Sequence, residues 1–262
     1  MTLVNIISNL KLKDQVSALL LTGSGASSDL KDYSDYDLIV ILANDETGVK
    51  SVYTFIDDKF SDIFFFTEQT IKELTEKTEV NPNSMDGILL NWLNNAKIEF
   101  DKTGSISELQ NKIKNGHFKT VIPKDEVTSV LNKVNYGFIC NQRYYQSQDD
   151  LYLKALDIKL LYSVVELVTA YFTFRQMPWR GEKQAISYIE TNDPAFYRQF
   201  QNFLASKDID ERMRFYGKLF NIALPESLNR WDNNIVIGEP HDGSSEGREM
   251  AKIFWQELIR AS

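Results

Sequence analysis

Two short apolar runs, Val16 to Thr22 (VSALLLT) and Tyr36 to Leu42 (YDLIVIL), constrain this chain more than any other feature. The first is stopped by Gly23, and the second opens with two acids, so both are predicted to be strands of one sheet. Between them a loop of small residues runs from Gly23 to Ser28, and Asp35 and Asp37 stand two positions apart at the head of the second run. Side chains alternate across a strand, so Asp35, Asp37, Ile39 and Ile41 share one face. Both carboxylates then lie on one side of the strand's beginning. Small residues let backbone amides approach an anion closely, and a helix start in the same place would add its positive dipole end.

The rest of the first half builds around this pair. Leu3, Ile6, Ile7 and Leu10 have helical spacing. Thr47 to Lys59 is predicted to be a connecting helix with Val49, Val52, Tyr53 and Ile56 inside. Asp62 to Phe66 reads as a third strand, which gives Asp62 a position like that of Asp37. Thr67 to Thr78 has helical spacing at Ile71 and Leu74, Asn81-Pro82-Asn83 breaks the chain, and Ser84 is placed to cap a helix carrying Ile88, Leu89 and Trp92. Lys97 to Phe100 is a further strand with a turn at Asp101 to Gly104.

Beyond His117 to Pro123 the pattern turns helical. Val127 to Tyr145 and Leu151 to Phe174 are long periodic segments, the second with Asp149 or Asp150 as a cap. Shorter helices are predicted at 182–190, 194–204 and 208–222, and a last amphipathic helix at Gly247 to Arg260 with Ile253, Phe254, Leu258 and Ile259 inside. The fold class is therefore α+β, a small mixed sheet flanked by helices in residues 1–119 followed by an all-helical bundle in residues 120–262.

Composition narrows the function. The 262 residues hold 43% hydrophobic and 25% charged side chains, which are globular values. A net charge of −8 argues against a nucleic-acid surface and suits a small, cationic substrate. The single cysteine, Cys140, excludes an internal disulfide and is expected to be a buried thiol. His117 and His241 are far apart, so a histidine metal site has no support. The amino terminus lacks a signal pattern and no apolar run has membrane-spanning length, which predicts a cytoplasmic protein with no membrane partner.

Three carboxylates at strand beginnings repel one another, by roughly 4 kcal/mol per pair at about 4 Å and an effective dielectric of about 20. A divalent cation resolves that repulsion. Magnesium favours oxygen ligands and commonly bridges carboxylates to substrate phosphates. With a glycine-serine loop able to offset phosphate charge, the combination points to phosphoryl or nucleotidyl transfer.

Gly23-Ser24 at a strand end, Asp35-Tyr36-Asp37 opening the next strand and Asp62 in a third resemble the nucleotidyltransferase fold of the DNA polymerase beta superfamily, over roughly residues 16–104. IEFDKTG (Ile98 to Gly104) looks like the strand and turn that commonly close that domain. The helical half and the overall size look like small antibiotic nucleotidyltransferases acting on aminoglycosides or lincosamides. The resemblance implies that Asp35 and Asp37 hold Mg2+, that Asp62 completes the site and orients or deprotonates the acceptor hydroxyl, and that Ser24 binds the phosphates of the nucleotide. Gly23 permits the tight approach. In several relatives a carboxylate of the helical domain is the base.

For that base the candidate is Glu166, on a stripe with Lys159, Ser163, Ala170 and Thr173 that is less apolar than its surroundings and faces either solvent or the cleft. Lys183, after the irregular Pro178 to Gly181, is a candidate for the triphosphate together with Arg180; the bland alternative is an exposed basic helix start. Trp179, Tyr171 and Phe174 suit a base or sugar face, or a core. Trp231 to Asn234 (WDNN) is acidic and aromatic enough to touch a cationic substrate.

The function expected is a Mg2+-dependent transfer of a nucleoside monophosphate, AMP from ATP, to a hydroxyl of a small acceptor, with release of pyrophosphate and the acceptor lying between the two domains. The alternatives are an antitoxin-like enzyme that adenylylates a protein and a nucleotide-binding module without turnover. A homodimer is open.

Overall fold

The computed structural model describes residues 2–26, 31, 33–44, 48–232, 235–238 and 244–259, with the side chains of all but Ser24 and Ser245. Of the features named above, Ser27, Ser28, Thr47, Asn233, Asn234, His241 and Arg260 lie outside the described residues. The chain divides into two compact units, Met1–Val121 and Ile122–Ser262.

In the first unit, α1 (Leu3–Lys11) leads into β1 (Val16–Thr22), followed by a single 3-10 turn at Gly23–Ala26 and β2 (Tyr36–Leu42). Every residue of β1 is buried, as a central strand covered on both faces requires. Next come β3 (Ser51–Ile56), β4 (Lys59–Thr67), α2 (Glu68–Thr75), β5 (Glu79–Val80), α3 (Met85–Asn95), β6 (Lys97–Asp101), α4 (Ser105–Lys114) and β7 (Lys119–Thr120). The main sheet has the order β3-β4-β2-β1-β6, while β5 and β7 pair separately. Only β2 and β4 are parallel in the main sheet. One face of it, carrying Ala18, Leu20, Ile39 and Ile41, packs on Ile71 and Leu74 of α2, Leu89 and Leu93 of α3, and Ile106 and Leu109 of α4. The other, carrying Leu19, Leu21, Leu38 and Val40, packs on Ile6 of α1.

The helix expected over Thr47 to Lys59 is instead a strand and half a hairpin. Val52 through Ile56 is a β-branched and aromatic run, and it pairs antiparallel with β4 from Ser51↔Phe64 to Ile56↔Lys59. Asp57 and Asp58 turn the hairpin with φ of 49° and 62°, the left-handed pair that a two-residue turn needs. Asp57 is further held by accepting a hydrogen bond from the Leu3 amide at 3.0 Å. The helical spacing of Val49, Val52, Tyr53 and Ile56 was coincidental, and of the β3 residues only Ile56 is buried. Lengthening β4 back to Lys59 also moves Asp62 from the head of its strand to its fourth position.

The second unit is helical: α5 (Lys124–Gln146), α6 (Asp150–Phe174), α7 (Glu182–Asn192), α8 (Pro194–Ala205), α9 (Ile209–Ala223) and α10 (Ser245–Ile259). Asp149 caps α6 by accepting from the Leu151 amide at 2.9 Å. Its core joins Leu156, Leu160, Val164 and Leu167 of α6 to Phe196 and Phe203 of α8 and Tyr216, Leu219 and Phe220 of α9. Two face assignments change. Ser163, Ala170 and Thr173 are buried rather than solvent- or cleft-facing: Ser163 accepts a hydrogen bond from Asn141 of α5 at 3.0 Å, Ala170 belongs to the apolar core, and the Thr173 hydroxyl donates to the Thr169 carbonyl at 3.3 Å. On α10, Ile253, Phe254, Leu258 and Ile259 are exposed, since the helix turns Gly247 and Arg248 inward and seats Ala251 against Gly238. Among the described residues no helix is long and apolar enough to cross a membrane.

Tyr171 illustrates how tightly this unit is locked. Its hydroxyl donates to Asp193 at 3.1 Å, and the Arg175 guanidinium lies 3.7 Å from its ring centroid while donating to the Ile222 and Ala223 carbonyls that end α9. Burial pushes the phenol up to about 12, with Arg175 opposing and Asp193 assisting. Below pH 10 both folded and unfolded chains keep this proton. Above it the unfolded chain releases the proton first, so stability is expected to fall as pH rises from about 10 to about 12. Urea midpoints across that range should show the slope, and Tyr171→Phe should make it shallower, the remainder coming from Tyr216, whose phenol is also pushed up by burial.

Candidate active site

Parallel pairing of β2 and β4 puts the beginnings of both strands at one end of the sheet, and the register sets Asp37 directly beside Asp62. Paired residues of neighbouring strands point to the same face, so these two carboxylates are neighbours on the face covered further along by α2, α3 and α4. Asp35, exposed just ahead of β2, is close enough for its charge to act on Asp62. Burial first, and the Asp35 charge second, raise the Asp62 carboxyl above the usual aspartate range. One Asp62 oxygen, Oδ1, is buried without a hydrogen-bond partner. A buried acceptor left in that state is costly unless something else is meant to meet it.

On the opposite flank, β1 ends with Thr22 paired to Asp37, and the Thr22 hydroxyl donates to the Trp92 carbonyl of α3 at 3.3 Å. Gly23 then turns the chain at φ +61°, and a Cβ built on it would stand 2.3 Å from Asp37 Oδ2. The main chain of the Gly23–Ala26 turn therefore lies against the Asp37 carboxylate, an approach open only to glycine. Gly25 in the same turn packs on the Tyr36 ring. The backbone of Ser24 is thus placed beside the acids.

Such a set of oxygens suits a hard cation such as Mg2+, and the unpartnered Asp62 Oδ1 is the observation that favours one. Among the described residues, no three His, Cys, Asp or Glu side chains are grouped so as to hold a metal ion, so Asp35, Asp37 and Asp62 are not drawn together as a three-ligand set in this structure. A cation at Asp35, Asp37 and Asp62 would need further oxygens from substrate phosphates and water, which is the usual habit of Mg2+.

Sequence reasoning missed the neighbours of this site on its open flank. Tyr53 of β3 pairs directly with Asp62, and Phe55 pairs with Phe60. All three rings are exposed, by 60% for Tyr53, 64% for Phe55 and 49% for Phe60. The alternation in SVYTFI followed by Asp57-Asp58 was the available signal for a hairpin. Past Asp62, Phe64 packs on Trp92 with centroids 4.8 Å apart, and there the helical cover of the face begins.

The remaining candidates lie in the second unit. Glu166 is half-buried on α6, paired with Lys133 of α5 at 3.1 Å and close to Tyr216. Lys133 also lines a cavity of about 630 Å³ with Asn132, Tyr136, Trp231 and Ile237. Lys183 is exposed in the first turn of α7, beside a wide groove with Gln184, Ser187 and Tyr188, and Arg180 is exposed too. Tyr171 is core, and Trp179 and Phe174 pack against that core, Trp179 edge-on to Phe172. Cys140 is buried. His117 is exposed and stands edge-on to Phe118.

No protein-family model and no curated sequence matches the chain. Among solved structures it is similar to a nucleotidyltransferase-like protein from Exiguobacterium sibiricum 255-15, at 12% identity and a TM-score of 0.41, over 84% of this chain and 72% of that one. The likeness is coarse, and it assigns no residue of this chain a role.

Proposed function

We propose that the first unit transfers a nucleoside monophosphate from a nucleoside triphosphate, ATP in the simplest case, to a hydroxyl group of a small acceptor, releasing pyrophosphate. The observation that carries this reading is the register of Asp37 against Asp62, with a buried, unpartnered oxygen on Asp62 and a glycine turn pressed on Asp37. Asp35, Asp37 and Asp62 would hold Mg2+, which supplies positive charge to offset that of the phosphates. The backbone at Gly23 and Ser24 would bind and orient the triphosphate from the β1 side. Asp62, on the β3 side, would orient the acceptor hydroxyl and take its proton. The bond formed joins the acceptor oxygen to the α phosphorus, and the bond broken is that from the α phosphorus to the oxygen bridging to the β phosphorus.

ATP with Mg2+ is expected to raise the melting temperature, and Asp37→Asn is expected to remove the part of that rise that depends on the metal. A shift that survives both Asp37→Asn and Asp35→Asn would overturn the site. Pyrophosphate release should appear only with a hydroxyl acceptor present. ATP binding without release across aminoglycosides, lincosamides, nucleotides and proteins would make the chain a nucleotide-binding module.

A further inference from the structure

Helix α6 is apolar on two opposite faces. Leu156, Leu160, Val164 and Leu167 line the core of the bundle. On the outer side Leu151, Ile158 and Val165 recur at seven-residue spacing with Leu161 and Tyr162 beside them, and all five are exposed. A helix that is hydrophobic all round is normally covered all round. The outer face of α6 is therefore a surface without its cover.

The same chain carries a matching element. Helix α10 is seated only by its first half, where Arg248 is buried and donates to Asp125 of α5 at 3.3 Å, and Ala251 packs on Gly238. Phe254 and Leu258 follow Ala251 by three and seven residues and so continue the face that seats the helix. Yet every residue from Ile253 to Ile259 is exposed. With Trp255 and Ile259, they form a stripe of large apolar side chains on an arm that runs on past its seat. Arm and outer face are both exposed in the one chain, so they do not cover each other there. An unbroken helix without glycine or proline after Gly247 has no hinge to fold it back.

The charges left over are opposite. Around the outer face Lys154 is paired with Asp150 and Asp157 with Arg212, which leaves Lys159, its ammonium 5.3 Å from the Tyr162 ring centroid and without a carboxylate partner among the described residues. On the arm Lys252 is paired with Glu249, which leaves Glu257 beside Leu258. Outside its seat α10 carries Glu246, Glu249 and Glu257 against Lys252, a balance that opposes an anionic lipid surface. Size agrees as well. Half-exposed side chains of this kind offer roughly 100 Å² each, so one arm on one face buries on the order of 800 Å², and a reciprocal pair of contacts reaches the roughly 1,600 Å² of a standard interface.

We propose that the chain forms a two-fold dimer by exchange of α10, with Phe254, Trp255, Leu258 and Ile259 of each copy lying along the outer face of α6 in the other. Each contact joins two different surfaces, and its reciprocal repeat closes the pair so that no further copy adds. This goes beyond nucleotidyl transfer and does not rest on it.

The test is sedimentation equilibrium of the full chain across micromolar concentrations, and a dimer is expected. Leu258→Glu on the arm and Ile158→Glu on the face change exposed side chains, so helix content by circular dichroism should hold while each weakens dimerisation at least about thirtyfold. A flexible bismaleimide should link Leu258→Cys chains to Ile158→Cys chains in a mixture and link neither variant to itself. This second measurement reads the contact in proteins that keep their apolar surfaces. A monomeric wild type overturns the proposal. A dimer that survives Ile158→Glu and not Leu258→Glu is arm on arm, and one that survives Leu258→Glu uses another surface; either result overturns the exchange, as does like-with-like linking in place of the mixed product.

Discussion

Gly87→Ala is expected to unfold much of the first unit, at a cost of about 3 kcal/mol or more, seen as a loss of about 10 °C or more in its melting temperature. Gly87 is buried in the first turn of α3, under the Asn81 to Ser84 turn that caps the helix. The Ser84 hydroxyl accepts from the Gly87 amide at 3.3 Å and donates to the Asn81 carbonyl at 2.7 Å, so the turn is folded tightly over this position. A Cβ would stand 2.3 Å from the Asn81 carbonyl oxygen and 2.5 Å from Pro82 Cα. Both obstacles are main chain, and one is a proline with a fixed φ, so neither can swing aside. Relief requires α3 to shift as a body. That would withdraw Trp92 from Phe64 and from the Thr22 hydroxyl, the contacts that anchor the end of β1 beside the acids. Gly217→Ala is the matched control. Gly217 lies inside α9 with nothing within 4 Å of a built Cβ, and alanine there should stabilise by up to about 1 kcal/mol. Calorimetry of both variants separates the two outcomes, and an unchanged melting temperature for Gly87→Ala would refute the account of this turn.

How much of this was legible in the sequence depended on whether one segment carried its own answer. The strands β1 and β2 were legible because a short, wholly apolar run stopped by glycine admits few alternatives, and the phase of Asp35 and Asp37 follows from alternation alone. The placement of Asp62 beside Asp37 was not fixed by any local pattern, since it depends on β4 pairing in parallel with β2 at one register. The hairpin β3–β4 was misread because Val49, Val52, Tyr53 and Ile56 fit a helical spacing, and its turn uses Asp57-Asp58 rather than a glycine pair. That error hid Tyr53 from the site. On α10 the assumption that large apolar residues face inward failed, because the helix approaches Gly238 through the small Ala251 and the main chain of Arg248 and Lys252. The stripe of α6 that carries Glu166 did not turn out as its composition suggested, because Ser163, Ala170 and Thr173 are buried and Ser163 accepts an internal hydrogen bond from Asn141.

Gly23→Ala meets an obstacle at the same distance as Gly87→Ala and is expected to give the opposite result. The Cβ of alanine would again have an atom 2.3 Å away, but here it is Oδ2 of Asp37, the tip of a side chain, and the next is the Asp37 carboxyl carbon at 3.4 Å. Rotating that carboxylate relieves the overlap without moving a strand. The left-handed φ of +61° adds about 1–2 kcal/mol for a residue with a Cβ, so the unit loses some stability and stays folded. What it loses is the position of the acid. A carboxylate displaced by about 1 Å costs about a hundredfold where geometry governs binding and reaction, and Asp37 is the acid set against both Asp62 and the turn. The expected result is a folded protein with a modestly lowered melting temperature and no metal-dependent ATP stabilisation, matching Asp37→Asn in that respect. Asp37→Asn should leave the turn and its stability intact, so thermal shifts measured with and without ATP and Mg2+ distinguish strain at Gly23 from loss of charge at Asp37. Retention of the metal-dependent shift in Gly23→Ala, with the fold preserved, would show that the carboxylate does not need the place the glycine gives it.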